Sequence, residues 1–110
     1  MPFFLERFSY TPEAWASLIE APEDRSKVAR EVIEKFGGKL HGFWYAFGEH
    51  DGFVLIEAPD NATAAAFSVG IAAGGRLRSS EVTVLLTVEE TLEVLRKAKD
   101  LPYRLPGEIK

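Results

Sequence analysis

Two neighbouring segments constrain the fold more than any other part of the chain. Residues 39–48, KLHGFWYAFG, and 53–58, FVLIEA, both read as strands, and both are apolar or aromatic on each face. In the first, Leu40, Trp44 and Ala46 are expected to point one way, with Phe43, Tyr45 and Phe47 pointing the other. In the second, Val54 and Ile56 oppose Phe53 and Leu55. A strand exposed on one side alternates apolar with polar residues. These do not, so both sides of the sheet are expected to be covered. Between them lies Glu49-His50-Asp51-Gly52, a polar connection that places an acid, a histidine and a second acid in a row.

The rest of the chain supplies the partners of these strands. PFFLERF, residues 2–8, reads as a first strand rich in aromatic and branched residues. Thr11-Pro12-Glu13 is a helix start: a capping hydroxyl, a proline at the first helical position and an acid at the positive end of the dipole. That helix is expected to reach about Glu20 and a second to restart at Pro22 and run to Phe36, with Arg25, Ala29, Val32, Ile33 and Phe36 on one face. Gly37-Gly38 stops it. Asp60 caps a helix of small residues to Ala73, and Gly74-Gly75 ends it. Residues 77–86 read as a fourth strand, and Thr87-x-x-Glu90 as a capping box opening a last helix to about Lys99. Val88, Leu92, Leu95 and Ala98 share its apolar face.

The order is β-α-β-β-α-β plus a helix, which predicts an α+β fold of ferredoxin-like pattern with a four-stranded antiparallel sheet. Residues 1–99 form the single predicted domain and 100–110 an irregular tail. Two helices cover one sheet face and leave the other bare, although its residues are apolar. An exposed apolar patch of that size marks an interface. The expected solution is a homodimer or higher homo-oligomer that packs sheet on sheet as a dimeric α/β barrel. The alternative is a monomer whose last helix and tail cover the open face.

Composition excludes several functions. The 110 residues carry a net charge of −4, the wrong sign for phosphate backbones or anionic membranes. The aromatic strand FWYAF lacks the motif and basic surface of an RNA reader, so neither nucleic acid nor membrane is an expected partner. With no cysteine, disulfides, thiolate nucleophiles and Cys-type metal centres are ruled out, and a cytoplasmic setting is expected. The apolar start is broken at once by Glu6 and Arg7, unlike a signal peptide. Outside secretion, the sequon at Asn61 has no role. No phosphate loop, nucleophile elbow or other cofactor motif is present, so no cofactor is expected.

The stretch GGKLHGFWYAFGEHDGFVLIEAPDNATAAAFSVGIAAGGRLRSSEV resembles the GYD domain, a family of uncharacterised proteins. The resemblance rests on the GGK strand, the Gly-x-(Tyr)-Asp element, a hydrophobic strand ending in EAPD and the Ala-rich helix. Upstream, SYT and the PEDR turn around Arg25 belong to it too, and it spans about residues 3–87. It implies membership among the dimeric α/β-barrel proteins, some of which are cofactor-independent monooxygenases or isomerases. A shared fold carries no activity across by itself. One departure matters: His50 stands where the family usually has tyrosine.

Candidate site residues follow from these readings. His50 and His41 are candidate general bases near neutral pH, with Asp51 as a neighbouring acid. Turn chemistry explains Asp51-Gly52 equally well. Nine residues apart on one strand, the two histidines are too distant to share a metal, and no metal site is expected. Trp44, Tyr45, Phe43 and Trp15, with Tyr10, are candidate walls for a small apolar or aromatic ligand, or simply core. Arg25 is the best candidate anion anchor, ahead of Arg76 and Arg78. An ion pair with Glu23 or Asp24 would account for it otherwise.

Overall fold

A computed structural model describes residues 1–107 of the chain. Four strands, β1 (Phe3–Tyr10), β2 (Lys39–Tyr45), β3 (Gly52–Glu57) and β4 (Leu77–Leu85), alternate with four helices, α1 (Pro12–Glu20), α2 (Arg25–Lys35), α3 (Asn61–Ala73) and α4 (Val88–Lys99). The strands form one antiparallel sheet in the order β2-β3-β1-β4.

The caps predicted from sequence are made. Thr11 accepts from the Ala14 amide, Asp60 from the Thr63 amide, and Thr87 and Glu90 form the reciprocal capping box of α4. α2 starts later than its proline suggests. Asp24 is its N-cap, accepting from the Ser26 amide, so the helix opens at Arg25. Bonds from Ser26 hold the Asp24 carboxyl, and the Thr63 amide holds that of Asp60, below the usual carboxylate range. At the far end of α2, Gly37 takes φ +84° and the Gly38 amide reaches back to the Ile33 carbonyl at 2.9 Å, a left-handed stop that glycine makes without strain.

The sheet has two unlike faces. On one, Phe4 and Phe8 of β1, Leu40 of β2, and Val54 and Ile56 of β3 join Ile33 of α2 and Ala64 and Phe67 of α3 in the buried core. On the other, Phe3, Leu5, Arg7, Phe53 and Leu55 are half-buried, and Trp44 is exposed. No helix lies over them.

The faces of β2 differ from the sequence expectation. The register against β3 shifts between Leu40 and Gly42, Leu40 facing Ile56 while Phe43 faces Val54. This bulge at His41 inserts one residue, and a one-residue slip exchanges faces. Leu40 therefore shares the core side with Phe43 and Tyr45, and Trp44 alone turns to the open side. Trp44 lies over Gly42: a Cβ there would fall 2.2 Å from the indole. β2 also ends at Tyr45, earlier than its apolar run suggests, and residues 46–51 form a six-residue connection rather than a tight Asp-Gly turn.

α4 is an amphipathic helix that buries none of its residues, and residues 100–107 contain no helix or strand. The described chain measures 66 × 32 × 23 Å with a Cα radius of gyration of 18.3 Å, against about 13 Å for a compact domain of this length. The last helix does not cover the open sheet face.

Candidate functional site

The polar connection between β2 and β3 resolves into separate roles. Asp51 is a clamp. Its Oδ2 accepts the Tyr10 backbone N–H at 2.9 Å and the Trp15 indole N–H at 3.2 Å, while its own N–H donates to the Phe8 carbonyl at 2.8 Å. One carboxylate thereby ties the connection to the end of β1 and to α1. Its Oδ2 is held by two structural donors, which accounts for the acid without a catalytic role. Next to it the aromatic rings of Tyr10, Trp15 and Tyr45 pack with centroids 5.0–6.2 Å apart, and the two phenol oxygens lie 3.2 Å apart. Burial and the bond with Tyr45 hold the Tyr10 phenol well above its ordinary value, so it stays protonated.

His50 faces the open side of the sheet. Its ring meets Phe53 edge-on at 6.1 Å, and its Nε2 lies 3.8 Å from Oε2 of Glu81 on β4. Glu81 also approaches Arg7 Nη2 at 3.6 Å, and Arg7 donates to Thr83 at 2.6 Å. Two nitrogens of this group, Nδ1 of His50 and Nε of Arg7, are buried with no hydrogen-bond partner. Unsatisfied buried polar atoms are rare and call for a missing partner. His41, at the bulge of β2, stands elsewhere on the same face: its Nε2 is 2.6 Å from Glu57 Oε1 and its ring 5.3 Å from that of Phe3. The histidines do not lie on one strand, since β2 ends before His50. They belong to two separate acid–histidine pairs. Among the described residues no group of three His, Cys, Asp or Glu side chains could hold a metal.

The five residues read from sequence as ligand contacts fall in three places. Trp44 is on the open face. Tyr45 and Trp15 join the Asp51 clamp. Phe43 and Arg25 line a cavity under α2 and α3, on the opposite side of the sheet. Arg25 also pairs with Glu23 at 3.2 Å. Arg76 lines the cavity too, whereas Arg78 is exposed on β4.

Sequence reasoning passed over two residues. Glu6 is 8% exposed, accepts a hydrogen bond from the Ser80 hydroxyl and faces the cavity. Its signal was present, since Glu6 alternates with Phe4 and Phe8 on the inward register of β1. Arg7 carried none: only the register with β4 brings it to Glu81 and Thr83.

A family model described as the GYD domain matches residues 4–95. No curated protein matches significantly. Among solved structures, the crystal structure of FFRP-DM1 superimposes with a TM-score of 0.50 at 13% identity, covering 78% of this chain and all of that one. At such identity the likeness concerns the fold alone.

Proposed function

From the chain's membership of the GYD domain family, we propose that it works as a homodimer, two sheets packed open face to open face around a small apolar or aromatic molecule. The observation that supports this reading is the open face itself. Phe3, Leu5, Phe53, Leu55 and Trp44 form an apolar surface with no covering element among the described residues, and such patches mark interfaces. A second copy would bury them by symmetry and give a ferredoxin-like dimeric barrel. Trp44 and the two acid–histidine pairs would then line the space between the sheets.

Cofactor-independent oxygenation or isomerisation is the second reading. What favours it is His50, whose unpartnered buried Nδ1 stands beside Arg7 on that same face. A substrate hydroxyl between them would supply the missing partner, accepting from Arg7 and donating to an unprotonated Nδ1, with the imidazole as proton acceptor.

Sedimentation and native mass spectrometry test the first reading together. The chain should run at twice its 12.2 kDa mass at micromolar concentration, with any retained ligand visible as added mass. Leu55→Glu should run as a folded monomer, since Leu55 lies on the open face and a charge there remains solvated only if nothing packs over it. A wild-type chain that stays monomeric at tens of micromolar overturns the reading.

A further inference from the structure

The other side of the sheet carries a cavity. Between α2, α3 and the strands is a cavity of about 330 Å³, within the range of small-molecule sites. Phe8, Val54 and Ile56 of the sheet, Ile33 of α2 and Phe67 of α3 make it apolar, and Glu6 is set among them. Protein interiors are packed as densely as organic crystals, but α3 borders this space with the exposed Gly70, where a Cβ would meet nothing within 4 Å.

Polar groups mark both ends. Glu6, more than nine-tenths buried, accepts from Ser80, which is itself 2.9 Å from Ser68. A carboxylate has about four acceptor positions, so the bonds to Ser80 and Ser68 leave capacity for a further donor. At the other end, Arg25 and Arg76 line both this cavity and an adjoining hollow of about 310 Å³ beside α1. Arg25 pairs with Glu23 and also meets the Tyr10 phenol, and Arg76 forms no ion pair among the described residues. Two arginines thus border the same apolar walls in a chain of net charge −4. The planar fork of arginine suits a carboxylate. Glu6 and Tyr10, whose cross-strand partner Leu77 follows Arg76, lie four residues apart on β1, about 13 Å at strand rise. An extended arginine closes much of that, leaving the length of one substituted ring.

We propose that this cavity binds a small aromatic monocarboxylate with a hydrogen-bond donor at its far end, the carboxylate on Arg25 and Arg76, the ring between Phe8, Ile33 and Phe67, and the donor on Glu6. The site is on the face opposite the proposed dimer contact, so the two stand or fall separately. Titration calorimetry with 4-hydroxyphenylacetate, phenylacetate and tyramine tests it. The hydroxy acid should bind. Phenylacetate, lacking the donor, should bind about tenfold more weakly, and tyramine, with an ammonium for the carboxylate, should not bind measurably. Arg76→Ala, at an exposed position, should weaken the hydroxy acid at least tenfold. Gly70→Leu should abolish binding while leaving the circular dichroism and native mass unchanged. No binding of the hydroxy acid at millimolar concentration overturns the proposal. So does binding that Gly70→Leu and Arg76→Ala leave intact, or tyramine binding as tightly. The native mass of the same samples reports the dimer independently.

Discussion

Glu6 departs furthest from the behaviour of an ordinary surface carboxylate. Burial pushes its pKa above the usual 4.5, because a low-dielectric surrounding disfavours the charged form. The sign of the consequence is fixed. A raised native pKa contributes stability that is fully present below 4.5, the unfolded value, and is lost as pH rises through the native value. Glu6→Gln keeps an acceptor for Ser80 and removes the titration. The difference in urea midpoint between variant and wild type should be flat at acid pH, then grow in the variant's favour as pH rises, and level off above the native pKa. Each tenfold change in proton affinity is worth about 1.4 kcal/mol. A difference that does not vary with pH would mean that Glu6 titrates as it does in the unfolded chain. Asp51 illustrates why such roles were only partly legible. Its turn preference is local and was visible in the sequence. Its bonds to Tyr10 and Trp15 span 41 and 36 residues, and no local pattern encodes them.

At the scale of elements, caps and stops were legible because their chemistry lies within four residues of the helix end. The bulge in β2 was not, since a glycine in a strand permits a bulge without requiring one. Two glycines show how context decides the outcome. A Cβ at Gly52 would fall 2.2 Å from the Phe8 ring, and one at Gly42 would fall 2.2 Å from the Trp44 indole. Phe8 is 5% exposed and packs against Tyr10 and Phe43 at 5.0 and 5.7 Å, so it yields only by disturbing those contacts. Trp44 is 54% exposed and can rotate away. Gly52→Ala should therefore cost about 1–3 kcal/mol, the range of overpacked cores, and Gly42→Ala clearly less. Denaturant midpoints of the two variants, compared side by side, check the ranking, and equal losses would contradict it.

For the whole molecule, the unusual feature is how much apolar surface the chain leaves uncovered. Beyond the open sheet face, Val69 and Ile71 are exposed on α3, and Val88, Leu92 and Leu95 form a bare stripe on α4. A helix with an unburied apolar stripe gains nothing from its own fold. Four strands about 4.8 Å apart and six to nine residues long offer a face on the order of 500 Å². A stable interface buries about 800 Å² per partner. In the proposed dimer, the sheet alone falls short, and the exposed α4 stripe is a surface able to make up the difference. Removing residues 88–110 should then act on assembly and not on the fold. In the monomeric Leu55→Glu background the truncation should shift unfolding by less than about 0.5 kcal/mol, as for surface changes, because α4 buries nothing in its own chain. In the wild-type background it should weaken the dimer at least tenfold by sedimentation. If the dimer were unaffected, the sheet would suffice by itself and the α4 stripe would serve some other contact. If the monomeric variant lost stability, α4 would be packing on its own body in solution.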